Sequence, residues 1–556
     1  MTAHSHPYIS RLKALFSSGD VDRREFLRTS TLLGLSAAAA YVFADGKLVA
    51  PAAAAEMPKG GVLRLALRCN EIKSPHTADF VDKTNITRQV VEYLTVTGPD
   101  NITRPYLLEK WDASEDLKTW TLHLRRDVKW RDGRAFTADD VVWNLKRVTE
   151  PATGSSMLGL MKGYLVKDFP TGETDAKGKP KVTSKLWADN AIEKVDDHTV
   201  RLNAYAPQLA VPEHLYHYPM QILDPKENGV FGPGSNGTGP FELTAFTVGK
   251  SASLKARKGY WGTGPYLDGI EMVDLGDNQG TAIAAMASKQ IDGMMLADQI
   301  LINAMQKMPH VQVYSVVSAQ TGVARGRMTD KPFNDKRVRQ AMRLAMDRPK
   351  LLAAGIGGAG IVAEDHHVAP VHPEYAKLPP QMRDLVKARA LLAEAGYPNG
   401  FDTEIVTRPS PAWELNSVQA IAEQLKEIGI RVAIKSLPST QYWEVWDKVP
   451  FGFTAWAHRP LGVMTLSLAY KSGVAWNESA YSNSEFDRIL TEAEGTYDVE
   501  KRRVLTAKLE AIMQDDGPIL QPFWVYASTV MDKRVRGFAM HPSAYMHLQG
   551  VAIEPA

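Results

Sequence analysis

The densest group of potential metal ligands in this sequence is His366 and His367, with Glu364 and Asp365 beside them and His372 downstream. Adjacent side chains in extended chain point in different directions, and no acid stands at a clear helical offset from either histidine. The group therefore reads as polar loop histidines that meet a ligand or solvent rather than as a closed metal site. Enzyme signatures are missing: the chain has no G-x-S-x-G elbow, no P-loop and no H-E-x-x-H. Gly357-Gly358-Ala359-Gly360 follows a helical stretch rather than a strand, so it reads as a turn and not as a dinucleotide cradle. The paired acids Asp139-Asp140 and Asp515-Asp516 read as helix termini rather than acid–base pairs. Nothing sets a nucleophile beside a base.

Aromatic and basic residues carry more information. Trp443, Trp446, Trp456, Trp476, Trp524 and Tyr526 lie in polar, loop-like settings. Aromatic rings in a cleft hold organic ligands by stacking while their polar tips hydrogen-bond, although core packing accounts for most such residues. Trp456 stands apart because Ala455-Trp456-Ala457-His458-Arg459-Pro460 follows a strand-like run through Phe451 and Phe453 and then breaks into a loop. Arg325 and Arg327 stand two apart on the stretch Thr321 to Met328. If it is a strand, both point to one face, toward an anionic group, toward solvent or toward structural acids.

The elements that must position these residues alternate between strand and helix. Gly61 to Arg68, Trp120 to Leu124, Phe241 to Leu254 and Ile430 to Ile434 read as strands, and Thr171 to Lys185 as a polar surface excursion. Thr137 is a helix N-cap with Asp139 and Asp140 in the first turn. The spacing of Val338, Ala341, Met342, Ala345 and Met346 predicts a helix over Asp335 to Leu352; Leu385 to Ala395 and Val418 to Ile428 are two more, the last closed by Gly429. Alternation in both halves predicts α/β lobes with mixed sheets.

The N-terminus reads as a twin-arginine export signal. Asp22-Arg23-Arg24-Glu25-Phe26-Leu27-Arg28 precedes an apolar run from Thr31 to Ala44 and the small-residue stretch Ala52 to Ala55, with Asp22 where Ser or Thr is usual. The competing reading is an ordinary amphipathic helix with two exposed arginines. Removing residues 1–55 leaves about 500, which is too many for one core. It also leaves 59 basic and 59 acidic residues, a balance that argues against a nucleic-acid or anionic-membrane partner. The one cysteine, Cys69, excludes an internal disulfide, and no later stretch has 18 uninterrupted apolar residues.

Four segments carry a resemblance. They are Trp111 to Arg125 running on through Val128 to Val141, Gly237-Thr238-Gly239-Pro240-Phe241 with Lys258-Gly259-Tyr260-Trp261-Gly262, Pro332 to Ala341 closing with Met346-Asp347-Arg348, and Ala390 to Tyr397. Together they resemble the family 5 extracellular solute-binding proteins, the peptide/nickel-type binding proteins of ABC importers. The resemblance implies an α/β type II periplasmic-binding-protein fold with two lobes closing by a hinge. Lobe I would take 56–318, enlarged by a subdomain at 101–236, lobe II 319–525, and 526–556 would return to lobe I. It also implies a periplasmic monomer without cofactor or catalysis. Such a protein hands a small organic solute from the interlobe cleft to a membrane permease. In similar peptide binders an aspartate after the Trp456-like position pairs with the peptide amine. Here Trp456 to Gly462 holds no acid, and a buried ammonium without a partner costs several kcal/mol. Arg459 would favour a carboxylate, phosphate or sugar-acid group instead. The expected ligand contacts are Trp456, His458, Arg459, Arg325, Arg327, Glu71, His367, Trp524 and Tyr526. The expected solute is a peptide, an opine-like conjugate or a sugar acid; a metal chelate or haem held by His366, His367 or His458 is the alternative, and a periplasmic hydrolase a more distant one.

Overall fold

The computed structural model describes residues 8–33, 35, 40, 43–44, 57–78, 80–174 and 180–555. The signal's Ala52 to Ala55 stretch lies outside them. Two units emerge. One takes the described residues up to Ala297, Leu301–Tyr314 and those from Thr529 onward; the other takes Asp298–Ile300 and Ser315–Ser528.

In the first unit, the strand Val62–Ala66 pairs in parallel with Gly269–Val273, which continues antiparallel into Ser251–Ala256 and Phe241–Thr247. A separate four-stranded sheet, in the order Leu108–Ala113, Thr119–Leu124, Thr199–Asn203, Ile192–Asp196, adjoins the helix Ala138–Thr149. That helix opens on a capping box in which Thr137 and Asp140 exchange bonds, and Asp140 also accepts from Trp130 Nε1 at 3.1 Å. The Gly-Thr-Gly-Pro-Phe segment is needed for backbone proximity. A Cβ on Gly237 would stand 1.9 Å from the Val90 carbonyl oxygen, while Gly239 N and Phe241 N donate to Val90 O and Gln89 O. Tyr260 and Trp261, from the adjoining motif, donate to the buried Glu92 carboxylate at 2.7 and 2.9 Å.

In the second unit, the strand Phe451–Trp456 runs antiparallel to the distal part of Val311–Gly326, with Thr321 opposite Trp456 and Arg325 opposite Gly452. Phe401–Thr407 pairs in parallel with it and with Ile430–Ser436. Helices Lys336–Leu344, Arg348–Ile356, Leu385–Glu394 and Ala412–Lys426 pack around a core of Val338, Met342, Leu351, Trp413, Ile421, Phe453 and Phe523.

The structure corrects one expectation and refines two others. The helix anticipated over Asp335 to Leu352 is two helices, because Asp347 caps the second and Pro349 stands in its first turn without an N–H to extend the first. The polar surface excursion read over Thr171 to Lys185 is exposed, and its described residues belong to the paired strands Val166–Thr174 and Pro180–Leu186. Asp139 and Asp140 do open a helix, but Asp515 and Asp516 close one, where the dipole disfavours acids; Lys336, Tyr481 and Asn483 bind them there.

Candidate functional site

Trp456 ends its strand with the indole pinned. Its Nε1 donates to Glu478 Oε1 at 2.7 Å. The other carboxylate oxygen of Glu478 accepts from Arg325 Nε at 2.9 Å and from Thr454 Oγ1 at 2.6 Å. Arg325 is fully buried and also donates to the carbonyls of Val449 and Trp446. Tyr442, again buried, shares a 2.6 Å hydrogen bond with Thr454 Oγ1. Arg325 thus has a structural acid for a partner, one of the outcomes open to it from sequence. Its guanidinium lies over Gly452, where a Cβ would come within 2.9 Å of it.

Around the Trp456 ring the aromatic residues gather edge to face. Trp446 and Trp476 lie at 6.2 and 6.0 Å, and the His367 ring at 5.5 Å on an 80° tilt. His367 also meets Trp524 at 5.8 Å, and its Nδ1 is 2.8 Å from Tyr470 OH. His367, Trp456, Tyr470 and Trp524, each 5 % exposed or less, therefore form one box. Two polar atoms in it, His367 Nε2 and Trp524 Nε1, are enclosed without a hydrogen-bond partner among the described residues. Trp524 is held by the strand Phe523–Asp532, where it sits opposite Ile361. Burial drives the His367 pKa well below the ordinary imidazole range, and the neighbouring charges of His372, Arg459 and His366 act in the same direction. The ring stays neutral in a positive field.

Next to the box, His458 Nδ1 accepts from Ala319 N at 2.9 Å, with its ring 6.2 Å from His372. His372 Nδ1 accepts from Ala369 N at 3.0 Å, which leaves its Nε2 to donate to Arg459 O at 2.9 Å. Arg459 is buried and donates through Nη1 to the carbonyls of Ala457 and His458.

The remaining candidates stand elsewhere. His366 turns away from His367 toward Glu364, 3.4 Å distant, and Tyr375. Just before the two histidines, Asp365 has a φ of 57° and accepts from Gln521 N and Arg348. Among the described residues no group of three or more His, Cys, Asp or Glu is placed to hold a metal ion. Arg327 lies beyond the strand, half-buried, donating to the Asp447 carbonyl. Tyr526 is half-buried, with its backbone N bonded to Ala359 O. Glu71 is exposed in the other unit, 3.8 Å from Lys73. Glu478 and Tyr470 escaped the sequence reading. Glu478 sits in the polar stretch Trp476-Asn477-Glu478-Ser479, and nothing local marks it as the acid that receives Trp456 and Arg325.

Among described residues no helix is long and apolar enough to cross a membrane. A haem-binding protein A of Haemophilus influenzae is 24 % identical over 476 residues, covering 81 % of this chain and 84 % of that protein. The dipeptide-binding protein of Escherichia coli K12 is 26 % identical over 478 residues, covering 81 % and 86 %. The solved structure of an Agrobacterium tumefaciens periplasmic binding protein with agropinic acid superposes with a TM-score of 0.77 at 21 % identity, covering 89 % and 99 %, so the fold is that of a type II periplasmic binding protein. Residues 103–477, about two-thirds of the sequence, match the bacterial extracellular solute-binding proteins, family 5. The chain belongs to that family, and it is a substrate-binding subunit of an importer rather than an enzyme.

Proposed function

We propose that the solute is an acceptor-rich, anionic organic molecule, a peptide-like compound, an opine-like conjugate or a sugar acid, and that one of its groups seats in the box of His367, Trp456, Tyr470 and Trp524. The observation that carries this reading is the enclosed Trp524 Nε1, a group that only donates and so calls for an acceptor. The positive charge of nearby Arg459 favours negative charge in that acceptor. Relatives span a dipeptide binder and an agropinic acid binder, so peptide and opine chemistry both suit the fold. His458 and Arg459 would orient the acidic end. Arg327, Glu71 and Tyr526 enter only as further contacts of a longer ligand.

A second reading rests on His367 Nε2. A neutral, enclosed imidazole nitrogen amid aromatic rings suits the metal of a planar chelate, and one relative is a haem-binding protein. The binding subunit would act as a monomer outside the cytoplasm, reached by the twin-arginine route, and dock its loaded form on an ABC permease.

A thermal-shift panel of peptides, opines, sugar acids and haem tests both readings. A solute at 100-fold its Kd should add about 2.7 kcal/mol to stability. Trp524→Phe keeps the ring and removes the donor, and an affinity loss of about 1–3 kcal/mol is expected. Binding of neutral or cationic peptides alone, unaffected by Trp524→Phe, would overturn the anionic reading. A shifted haem absorbance lost in His367→Ala would establish the chelate instead.

A further inference from the structure

The segment that carries the twin arginine is itself packed into the first unit. Asp22 caps the helix Arg23–Leu32 by accepting from Glu25 N at 2.8 Å, and eight of the ten helical residues, Glu25 to Leu32, are buried. The hydroxyls are satisfied inside the helix: Thr29 Oγ1 donates to Glu25 Oε1, Ser30 Oγ to Phe26 O and Thr31 Oγ1 to Leu27 O. Phe26 stacks on Phe16 of the preceding helix Tyr8–Ser18, with ring centroids 4.6 Å apart. Two buried hydrogen bonds then cross to residues far along the chain. Arg28 Nη2 donates to Asn101 O at 2.6 Å, and Trp111 Nε1 donates to Leu32 O at 3.0 Å. The charge of Asp100 acts on the partly buried Arg24. A signal free in solution would have no need of these complementary groups, and Trp111, 2 % exposed, would otherwise present its indole to water.

From these contacts we infer that residues 8–33 are an intramolecular ligand of the face carrying Asn101 and Trp111. Once that face has folded, the docked helix withholds Arg24 and the Phe26 to Leu33 stretch from any receptor that must read them. Export would then wait on release of the helix, and its removal would uncover the Trp111 face. The export consequence rests on the twin-arginine reading; the docking does not.

Hydrogen exchange on the full chain tests the docking. The amides of residues 26–33 should exchange far more slowly than in a peptide of residues 8–33 alone. Trp111→Phe keeps the ring bulk and removes one buried donor, so exchange of those amides should speed about fivefold to tenfold while amides of the second unit keep their rates. Arg28→Gln, which removes the bond to Asn101, should do the same and guards against misfolding of the first variant. Exchange of residues 26–33 in the full chain at the peptide's rate would overturn the inference. In cells, Arg23→Lys with Arg24→Lys should abolish export, and Trp111→Phe should hasten it. Slow exchange together with export indifferent to the lysine pair would overturn the export consequence and leave the docking standing.

Discussion

The site turns on a small number of buried polar atoms whose partners differ in kind. Arg325 and Glu478 satisfy each other, and Thr454 and Trp456 complete the carboxylate. Removing one member of such a pair leaves an uncompensated charge, so Glu478→Gln is expected to lower stability by about 3 kcal/mol in urea denaturation. The same change should reorient Trp456 and alter its fluorescence. His367 and Trp524 are the opposite case, with polar atoms still available inside an aromatic enclosure. His367, Trp456 and Trp524 come together in the box with His458 and Arg459 next to it, whereas Arg327, Tyr526 and Glu71 stand apart from it. Trp456 was legible because a strand-like run ended at it. Its acid partner was not, because the two stand 22 positions apart and the chain between them carries no local sign of their contact.

At the scale of elements, register decides which side chains meet. The antiparallel pairing of Val311–Gly326 with Phe451–Trp456 sets Arg325 opposite Gly452, and the guanidinium occupies the space a side chain there would need. Gly452→Ala is therefore expected to destabilise by about 1–3 kcal/mol, the range for overpacking, measured by denaturant titration. Asp347 supports a local boundary instead, accepting from Lys350 N to start a helix. Asp347→Ala should lose about 1 kcal/mol and fray that helix, which amide exchange would reveal. Helices with their caps were legible, since capping and apolar spacing are local. The break at Asp347 was missed because the apolar positions on either side keep helical spacing across it.

At the scale of the whole molecule, buried titratable groups set how stability varies with pH. Burial lowers His76 to about 4 and His214 and His541 to about 3, so each is neutral when folded and takes a proton when unfolded below about pH 6.5. The unfolded state then binds more protons, and stability falls as the solution is acidified from pH 6.5. Glu510 has the opposite sign. Burial raises its carboxyl from 4.5 to about 9, so the folded state keeps a proton that the unfolded state has lost. Its contribution is greatest below pH 4.5 and declines as pH rises toward 9, by up to about 1.4 kcal/mol per pH unit. Glu510→Gln should remove this fall in stability between pH 4.5 and 9 and leave the slope below pH 4.5 unchanged; equal profiles for the two proteins would refute the assignment.

By itself the sequence determined the α/β alternation, the helix caps, the family motifs and the absence of an acid after Trp456, because these depend on near neighbours or on composition. The motifs' purposes were set by contacts across the chain: Glu92 receives Tyr260 and Trp261 over more than 160 residues, and Val90 requires Gly237. Only the tertiary structure decided that Arg325 serves Glu478, that His366 and His367 part company, and that His367 and Trp524 share an enclosure. Burial and hydrogen-bond partnership are properties of packing, and a side chain's environment cannot be read from residues that meet it only after the chain has folded.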